Sequence, residues 1–286
     1  MDCLSIEESR LKLENKTIHY CWFGGKELSK TALKSIASWE KYAPEYKIQR
    51  WDESNFNYED CVFSKKAYQS QKWAFVSDYA RFAILHQYGG IYLDVGSELI
   101  QPLAAVENDV PFSSFEFFSN TVNSGLVLAA NPYDALIKET MDVYQKLDFV
   151  DSSNFLAVHT VNTIFTFVLS KHGLVPKNKK QKIGDWIIFD SQVFNPFFGF
   201  FGYHLKKDTI AIHHYSSSWC TAVEKKKSNI FKKITPFLGW KIANIVSSMI
   251  AELQVNGMTK GFQHIKEKVK GILRRERGNA SENFWI

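Results

Sequence analysis

Cysteine is scarce in these 286 residues: Cys3, Cys21, Cys61 and Cys220 stand apart, with no Cys-x-x-Cys pair. That scatter argues against a zinc knuckle and a disulfide framework and fits a reducing cytoplasm. Low-complexity linkers and internal repeats are missing too, which removes solenoids and strings of small domains from consideration. No segment reaches the ~18 uninterrupted apolar residues of a membrane span. The opening MDCLSIEESRLKLENK carries acids where a secretory signal has its apolar run, so the reading is of a chain neither secreted nor integral to a membrane.

What is present suits one large globular domain with a tail. Apolar residues make up 45% of the chain, enough for a sizeable core at this length. The 23 Phe, 12 Tyr and 8 Trp exceed what packing needs and are common where bases or sugars are stacked, although core filling is their plainer use. Charge is uneven: thirteen Lys or Arg face four Glu between residues 224 and 277, so the net +5 hides an acidic remainder. The divisions expected are a lead-in over 1–16, a catalytic-type domain over 17–223 and a basic helical tail over 224–286.

The run TIHYCWF over 17–23 is apolar and β-favouring and stops at Gly24-Gly25, a buried strand entering a loop. Helical spacing follows over 29–42, with Ser29 as N-cap and Pro44 past the end, and then a strand over 46–51. Strand, helix, strand is the unit of a parallel sheet covered by helices. KWAFVSDYARFAILHQY over 72–88 is a second helix, stopped by Gly89-Gly90, and IYL over 91–93 the next strand. Two strands are expected over 110–130 around the turn Asn123-Ser124-Gly125, helices over 132–147 and 162–172, and strands over 183–190 and 209–215. In the tail, 240–253 is apolar. Over 261–275 a basic amphipathic pattern places Phe262, Ile265, Val269, Ile272 and Leu273 on one side. Such a helix suits either an anionic membrane face or packing on its own domain.

Several residues could carry chemistry. Asp94 sits where a strand leaves the sheet, the edge that faces the ligand crevice in open parallel sheets, although an acid there also serves as a turn residue. Asp78 and Arg81 share one face of an otherwise apolar helix, which points that face into a cleft rather than into bulk water. Trp22 ends the first strand and reads as core or as a stacking platform. His213-His214, followed by three serines and Trp219, fits a metal and phosphate corner as well as a satisfied buried pair. Glu116 and Asn123 are candidates for sugar contact or plain loop residues.

IHYCWFGG over 18–25, WAFVSDYARFAILHQYGGIYLD over 73–94 and HHYSSSW over 213–219, in that order, resemble the bacterial members of glycosyltransferase family 32. These are capsule and O-antigen sugar transferases related to yeast mannosyltransferases and to clostridial glucosylating toxins. The resemblance implies a GT-A type, Rossmann-like α/β domain with a mixed central sheet, plus the helical tail. It implies a UDP-sugar donor, Mn²⁺ or Mg²⁺, and hexose transfer with retention, the acceptor hydroxyl attacking from the leaving group's face. The hexose would be galactose, N-acetylgalactosamine or glucose.

By that resemblance Trp22 stacks on uracil with Cys21 beside it in the nucleotide-binding stretch. Asp78 and Arg81 hold the ribose, sugar or phosphates; Ser217 and Trp219 close over the diphosphate; Asp94, His214 and Glu98 are the metal candidates. The implied partners are a nucleotide sugar, a lipid-linked or oligosaccharide acceptor and, through the tail, the inner face of the cytoplasmic membrane. Nucleic acid is not among them.

The chain departs from the family at one point: where the pattern carries a second acid, it has Gly96. If residues 94–98 were extended, positions 94, 96 and 98 would point the same way and Glu98 could reach a metal across the space left by Gly96. Alternatively Asp94, His214, diphosphate and water complete the shell, or the protein is a metal-independent or inactive binding subunit. Retained activity is the favoured reading, because the other ligand positions persist.

Overall fold

The computed structural model describes residues 15–106, 109–117, 119–152, 155, 158–197, 203–215 and 222–277. By its contacts the chain divides after Ser216 into two units. The first opens with β1 (Thr17–Cys21). Next comes α1 (Lys30–Tyr42), whose first turn is capped by Ser29 Oγ accepting from the Ala32 amide at 3.1 Å, as its sequence position suggests. β2 (Lys47–Trp51) pairs in parallel with β1. A short helix, α2 (Val62–Gln69), precedes α3 (Trp73–Tyr88).

α3 is buried on most of its circumference and ends at Gly89 and Gly90, both at positive φ. A Cβ on Gly89 would lie 2.5 Å from Pro132, so the Gly-Gly pair is what allows the helix to drop straight into β3 (Gly90–Tyr92). β4 (Ser97–Leu99), β5 (Phe112–Ser114), β6 (Leu128–Ala130), α4 (Ala135–Lys146) and α5 (Val161–Lys171) come next. The unit continues with β7 (Gln181–Ile183), β8 (Trp186–Phe189), a single turn α6 (Ser191–Phe194) and β9 (Ala211–His213).

Among the described residues seven strands form one sheet in the order β2-β1-β3-β6-β5-β8-β7, while β4 and β9 make a separate antiparallel pair. β2, β1, β3, β5 and β8 run in one direction, and β6 and β7 oppose them. This is the mixed central sheet, covered by helices, that the sequence leads one to expect.

Side chains alternate across the sheet with period two, as strand geometry requires. Ile18, Tyr20, Ile91 and Leu93 join the core under α1, whereas Cys21 and Tyr92 join the larger core under α3, α4 and α5. Each large aromatic sealed in that core, such as Phe82 or Phe165, contributes about 2 kcal/mol by burial. β1 leads to β2 on one side while its other neighbour is β3, so the strand order reverses between β1 and β3. Open sheets place their ligand crevice at such a reversal, outside the carboxyl ends of the strands. Trp22 and Asp94 leave the sheet on its two sides.

The second unit's described part is α7 (Ala222–Arg277), and it is not one straight rod. Gly257 has φ 75°, and a Cβ on Gly261 would lie 3.0 Å from the Glu252 carbonyl oxygen. Nine residues along a straight helix would separate those positions by about 13.5 Å. The segment therefore folds back at Gly257, and His264 Nδ1 comes within 3.5 Å of the Glu252 carboxylate. Ile242, Ile245, Met249, Met258 and Phe262 are exposed. No described helix is long and apolar enough to cross a membrane.

Candidate active site

The site grows out of α3 and the end of β3. Arg81 is buried, with 3% of its side chain exposed, and three of its faces are occupied. Its Nε donates to the Ser77 carbonyl at 3.1 Å, its Nη2 donates to Asp78 Oδ1 at 2.8 Å, and its guanidinium lies 4.8 Å from the centre of the Tyr92 ring. Nη1 has no partner among the described residues. A buried guanidinium with a free donor is costly unless something accepts from it.

Asp94 stands beside the guanidinium, its Oδ1 3.4 Å from Arg81 Nη2 and accepting from the Tyr92 hydroxyl at 3.0 Å. Tyr92 and Asp94 are two residues apart and share the α3 face, which brings that acid to Arg81. A third of the Asp94 side chain is exposed, so the pair opens outward. Gly125 makes room for it: a Cβ there would lie 2.1 Å from Asp94 Oδ2 and 3.0 Å from Arg81 Nη1. The Asp94 amide donates to the Gly125 carbonyl at 3.0 Å, fixing the approach.

Burial shapes the protonation of this cluster. Desolvation raises Asp78 to about 7; Arg81 pulls it down, and Asp94 pushes it further up. Cys21 is sealed beneath, and burial pushes its thiol up to about 12, against Arg81 and Tyr92, which lower it. It is a neutral, buried packing group under the site. His19, one residue pair away in β1, is held down to about 4 by burial, with the Gly89 carbonyl opposing. Its Nδ1 accepts from Trp51 Nε1 at 3.0 Å and its Nε2 donates to the Gly89 carbonyl at 3.0 Å, so it is a neutral core imidazole.

The expected extension past Asp94 does not occur. The Ser97 amide donates to the Asp94 carbonyl at 2.8 Å, closing a β-turn over 94–97. Strand alternation therefore ends at Asp94, and positions 94, 96 and 98 do not line one face. β4 is instead held by α1, with Trp39 Nε1 donating to the Ser97 carbonyl at 2.7 Å and Ser38 Oγ accepting from the Leu99 amide at 2.9 Å. Glu98 is taken up by His214 Nε2 at 2.5 Å and Lys34 Nζ at 2.9 Å. These two contacts hold its carboxyl below the usual range against the desolvation that raises it.

Nor is the space at Gly96 open. A Cβ there would meet His213 Nε2 and the His214 carbonyl oxygen, each at 2.9 Å, because the His214 amide donates to the Gly96 carbonyl at 2.8 Å. An imidazole stands where a second acid's side chain would begin. Burial holds His213 below its ordinary range, with Asp94 and Glu116 opposing, and its Nδ1 has no partner among the described residues. The sequence offered His213 only as half of a doublet; its role here comes from the β4–β9 pairing, which a single sequence does not display.

Asp94 on one side and the Glu98–His214 pair on the other therefore do not make one ligand set. Among the described residues no three His, Cys, Asp or Glu side chains gather closely enough to hold a metal ion. Ser217 and Trp219 lie outside the described residues. Trp22 is half-buried at the end of β1, its Nε1 donating to the Lys26 carbonyl at 2.6 Å. Asn123 spends its side-chain oxygen on the Gly125 amide at 2.9 Å, closing the turn that delivers Gly125.

Glu116 follows β5 on the same carboxyl edge, its Oε1 accepting from the Tyr215 hydroxyl at 2.8 Å. Tyr215 in turn accepts from Asn195 Nδ2 at 2.6 Å and stacks edge-on with His213 at 4.5 Å. Glu116, Phe197 and Tyr215 line a cleft of about 360 Å³. A larger cleft lies further along the edge, beyond Phe117.

Solved structures to which this chain is similar include the PaToxG glycosyltransferase and a glycosyltransferase involved in the glycosylation of the major capsid of PBCV-1. The first is 18% identical over 55% of this chain and 68% of that one, with a TM-score of 0.44. The second is 12% identical over 71% and 95%, with a TM-score of 0.41. Neither likeness is close enough to carry a functional argument. No curated protein sequence matches the chain. The profile of the family described as capsular polysaccharide synthesis protein matches residues 2–234, most of the chain. The chain therefore belongs to the capsular polysaccharide synthesis protein family.

Proposed function

We propose that the protein is a glycosyltransferase that moves a hexose from a UDP-sugar to a growing capsular or O-antigen polysaccharide acceptor. The observation that carries this reading is the buried Arg81, whose unpartnered Nη1 lies beside the outward-facing Asp94 at the point where the strand order reverses. A guanidinium fixed in place before substrate arrives offsets charge developing on a departing nucleoside diphosphate without reorganising. The family supplies the polymer; Trp22, at the other side of the same crevice, supplies a ring for the base.

Retention and the choice of galactose, N-acetylgalactosamine or glucose rest on the family 32 resemblance. So does the cation: among the described residues no three His, Cys, Asp or Glu side chains gather into a protein-built metal site. Mn²⁺ or Mg²⁺ would be held chiefly by the donor's own phosphates, with Asp94 the carboxylate at hand. The acceptor hydroxyl enters from the Glu116–Tyr215 side. For membrane docking, the exposed Phe262 and the excess of Lys and Arg in the tail are the supporting features.

The test is a screen of UDP- and GDP-sugars for nucleotide release by the purified chain, with and without manganese. Release from a UDP-hexose supports the reading. A GDP-sugar preference moves it toward mannosyl transfer and removes the uracil role from Trp22. No turnover combined with measurable UDP binding favours an inactive donor-binding subunit.

A further inference from the structure

The crevice does not end at Glu116. Beyond Phe117, which borders both spaces, lies a cleft of about 490 Å³ whose lining includes Lys179, Lys180, Lys206 and a single carboxylate, Asp190. That carboxylate is partly spent on the Gln192 amide at 2.9 Å. The concentration of positive charge is unusual in this part of the molecule, because the chain outside residues 224–277 carries more acids than bases.

The lysines come from two loops, and the same turn of helix, α6, holds both. On one side Asn178 Nδ2 donates to Ser191 Oγ at 2.8 Å while the Ser191 amide donates to Asn178 Oδ1 at 2.8 Å, which ties the loop carrying Lys179 and Lys180. On the other, Gln192 Nε2 donates to Thr209 Oγ1 at 2.8 Å, and that hydroxyl accepts from the Lys206 amide at 3.0 Å. Two anchored loops thus line one cleft with lysines, the Lys180 ammonium lying 5.2 Å from the centre of the Phe189 ring.

We propose that this cleft is an acceptor subsite for an anionic group, a phosphate or a sugar carboxylate, borne by the glycan that receives the hexose. The proposal rests on the glycosyltransferase reading above. Paired lysines attract anions without fixing a planar geometry, which suits a flexible acceptor held some way from the reacting hydroxyl. The anion has two possible sources, the pyrophosphate of a lipid carrier or an acidic residue of the polymer.

The experiment is calorimetry on the full chain with the donor site saturated by UDP. The probes are a short-chain polyprenyl pyrophosphate, a glucuronate-containing tetrasaccharide and neutral maltotetraose. At least one anionic probe is expected to bind, more weakly as salt rises, and Lys179→Glu with Lys206→Glu is expected to cost roughly tenfold or more in its affinity. UDP affinity and the circular dichroism of the double variant should match the parent. Which anionic probe binds identifies the source. Anionic-probe binding, of one or both, that the double variant leaves unchanged, equal binding of maltotetraose, or binding of neither anionic probe beside intact UDP binding overturns the subsite. Failure of UDP itself to bind overturns the donor-site reading instead, and the two failures are read from different titrations.

Discussion

Gly125→Ala adds one methyl group and should disable the site while leaving the fold standing. The new Cβ would lie 2.1 Å from Asp94 Oδ2 and 3.0 Å from Arg81 Nη1, where ordinary contact starts at 3.4 Å. The carboxylate must therefore retreat by on the order of 1.3 Å to restore van der Waals distance. Gly125 is not among the glycines at positive φ, so alanine brings no backbone strain. Asp94 is part-exposed and can swing outward, which keeps the stability cost near the low end of the ~1–3 kcal/mol seen for overpacking. For a unit of this size ~1 kcal/mol lowers Tm by about 2–4 °C. Misplacing a reacting group by about 1 Å costs ~10²-fold in rate. The assay is UDP release from the preferred donor, measured beside a thermal scan on the same preparation. A folded Gly125→Ala protein that turns over within about threefold of the parent would refute the claim that the Asp94–Arg81 geometry matters.

Gly96→Asp, which restores the family's second acid, should gain no activity. Its side chain runs into His213 and the His214 carbonyl, and a loss of ~1–3 kcal/mol is expected in denaturant melts. Asp78 is raised from 3.8 to about 7 in the folded protein, so the folded state holds more protons than the unfolded one between those values. Stability from this group is full below about pH 4 and gone above about pH 7. Urea titrations across that window should show the decline, and Asp78→Asn should flatten it. Phe262→Glu should reduce sedimentation with anionic phosphatidylglycerol vesicles and leave UDP release unchanged; equal sedimentation would remove the tail from membrane docking.

Much of the fold was legible because it follows from local rules. The strand at 17–21, the Ser29 cap, the helix ending at Gly89 and the turn before β6 each rest on periodicity or on residues with one backbone preference. α2, with its VFSKKAYQ sequence, shows no clear period because two lysines break its apolar pattern. β4 and β7 have three residues each, too few for a period to show. The fold-back at Gly257 was hidden by flanks that are helical on both sides.

Asp78, Arg81 and Asp94, which the structure brings together, were legible because helical spacing and a strand end reveal them. The disposition of Glu98 was not legible in the sequence. A β-turn over 94–97 ends the alternation on which the reading depended, and the β4–β9 pairing then commits Glu98 to His214 and Lys34. Gly125, Tyr92 and His213 are supporting residues whose importance lies in contacts across the sheet, which one sequence does not reveal.

The central claim is that Arg81 is a preformed hydrogen-bond donor to the phosphates of a nucleoside diphosphate, and the titration of UDP into the parent and Arg81→Lys proteins tests it most directly. Lysine keeps the charge but loses the fork that holds Asp78 and leaves Nη1 free. The parent should bind UDP, and Arg81→Lys should bind it at least about tenfold more weakly at an unchanged stoichiometry. Equal affinity in the two folded proteins, or no binding of UDP to the parent, would contradict it.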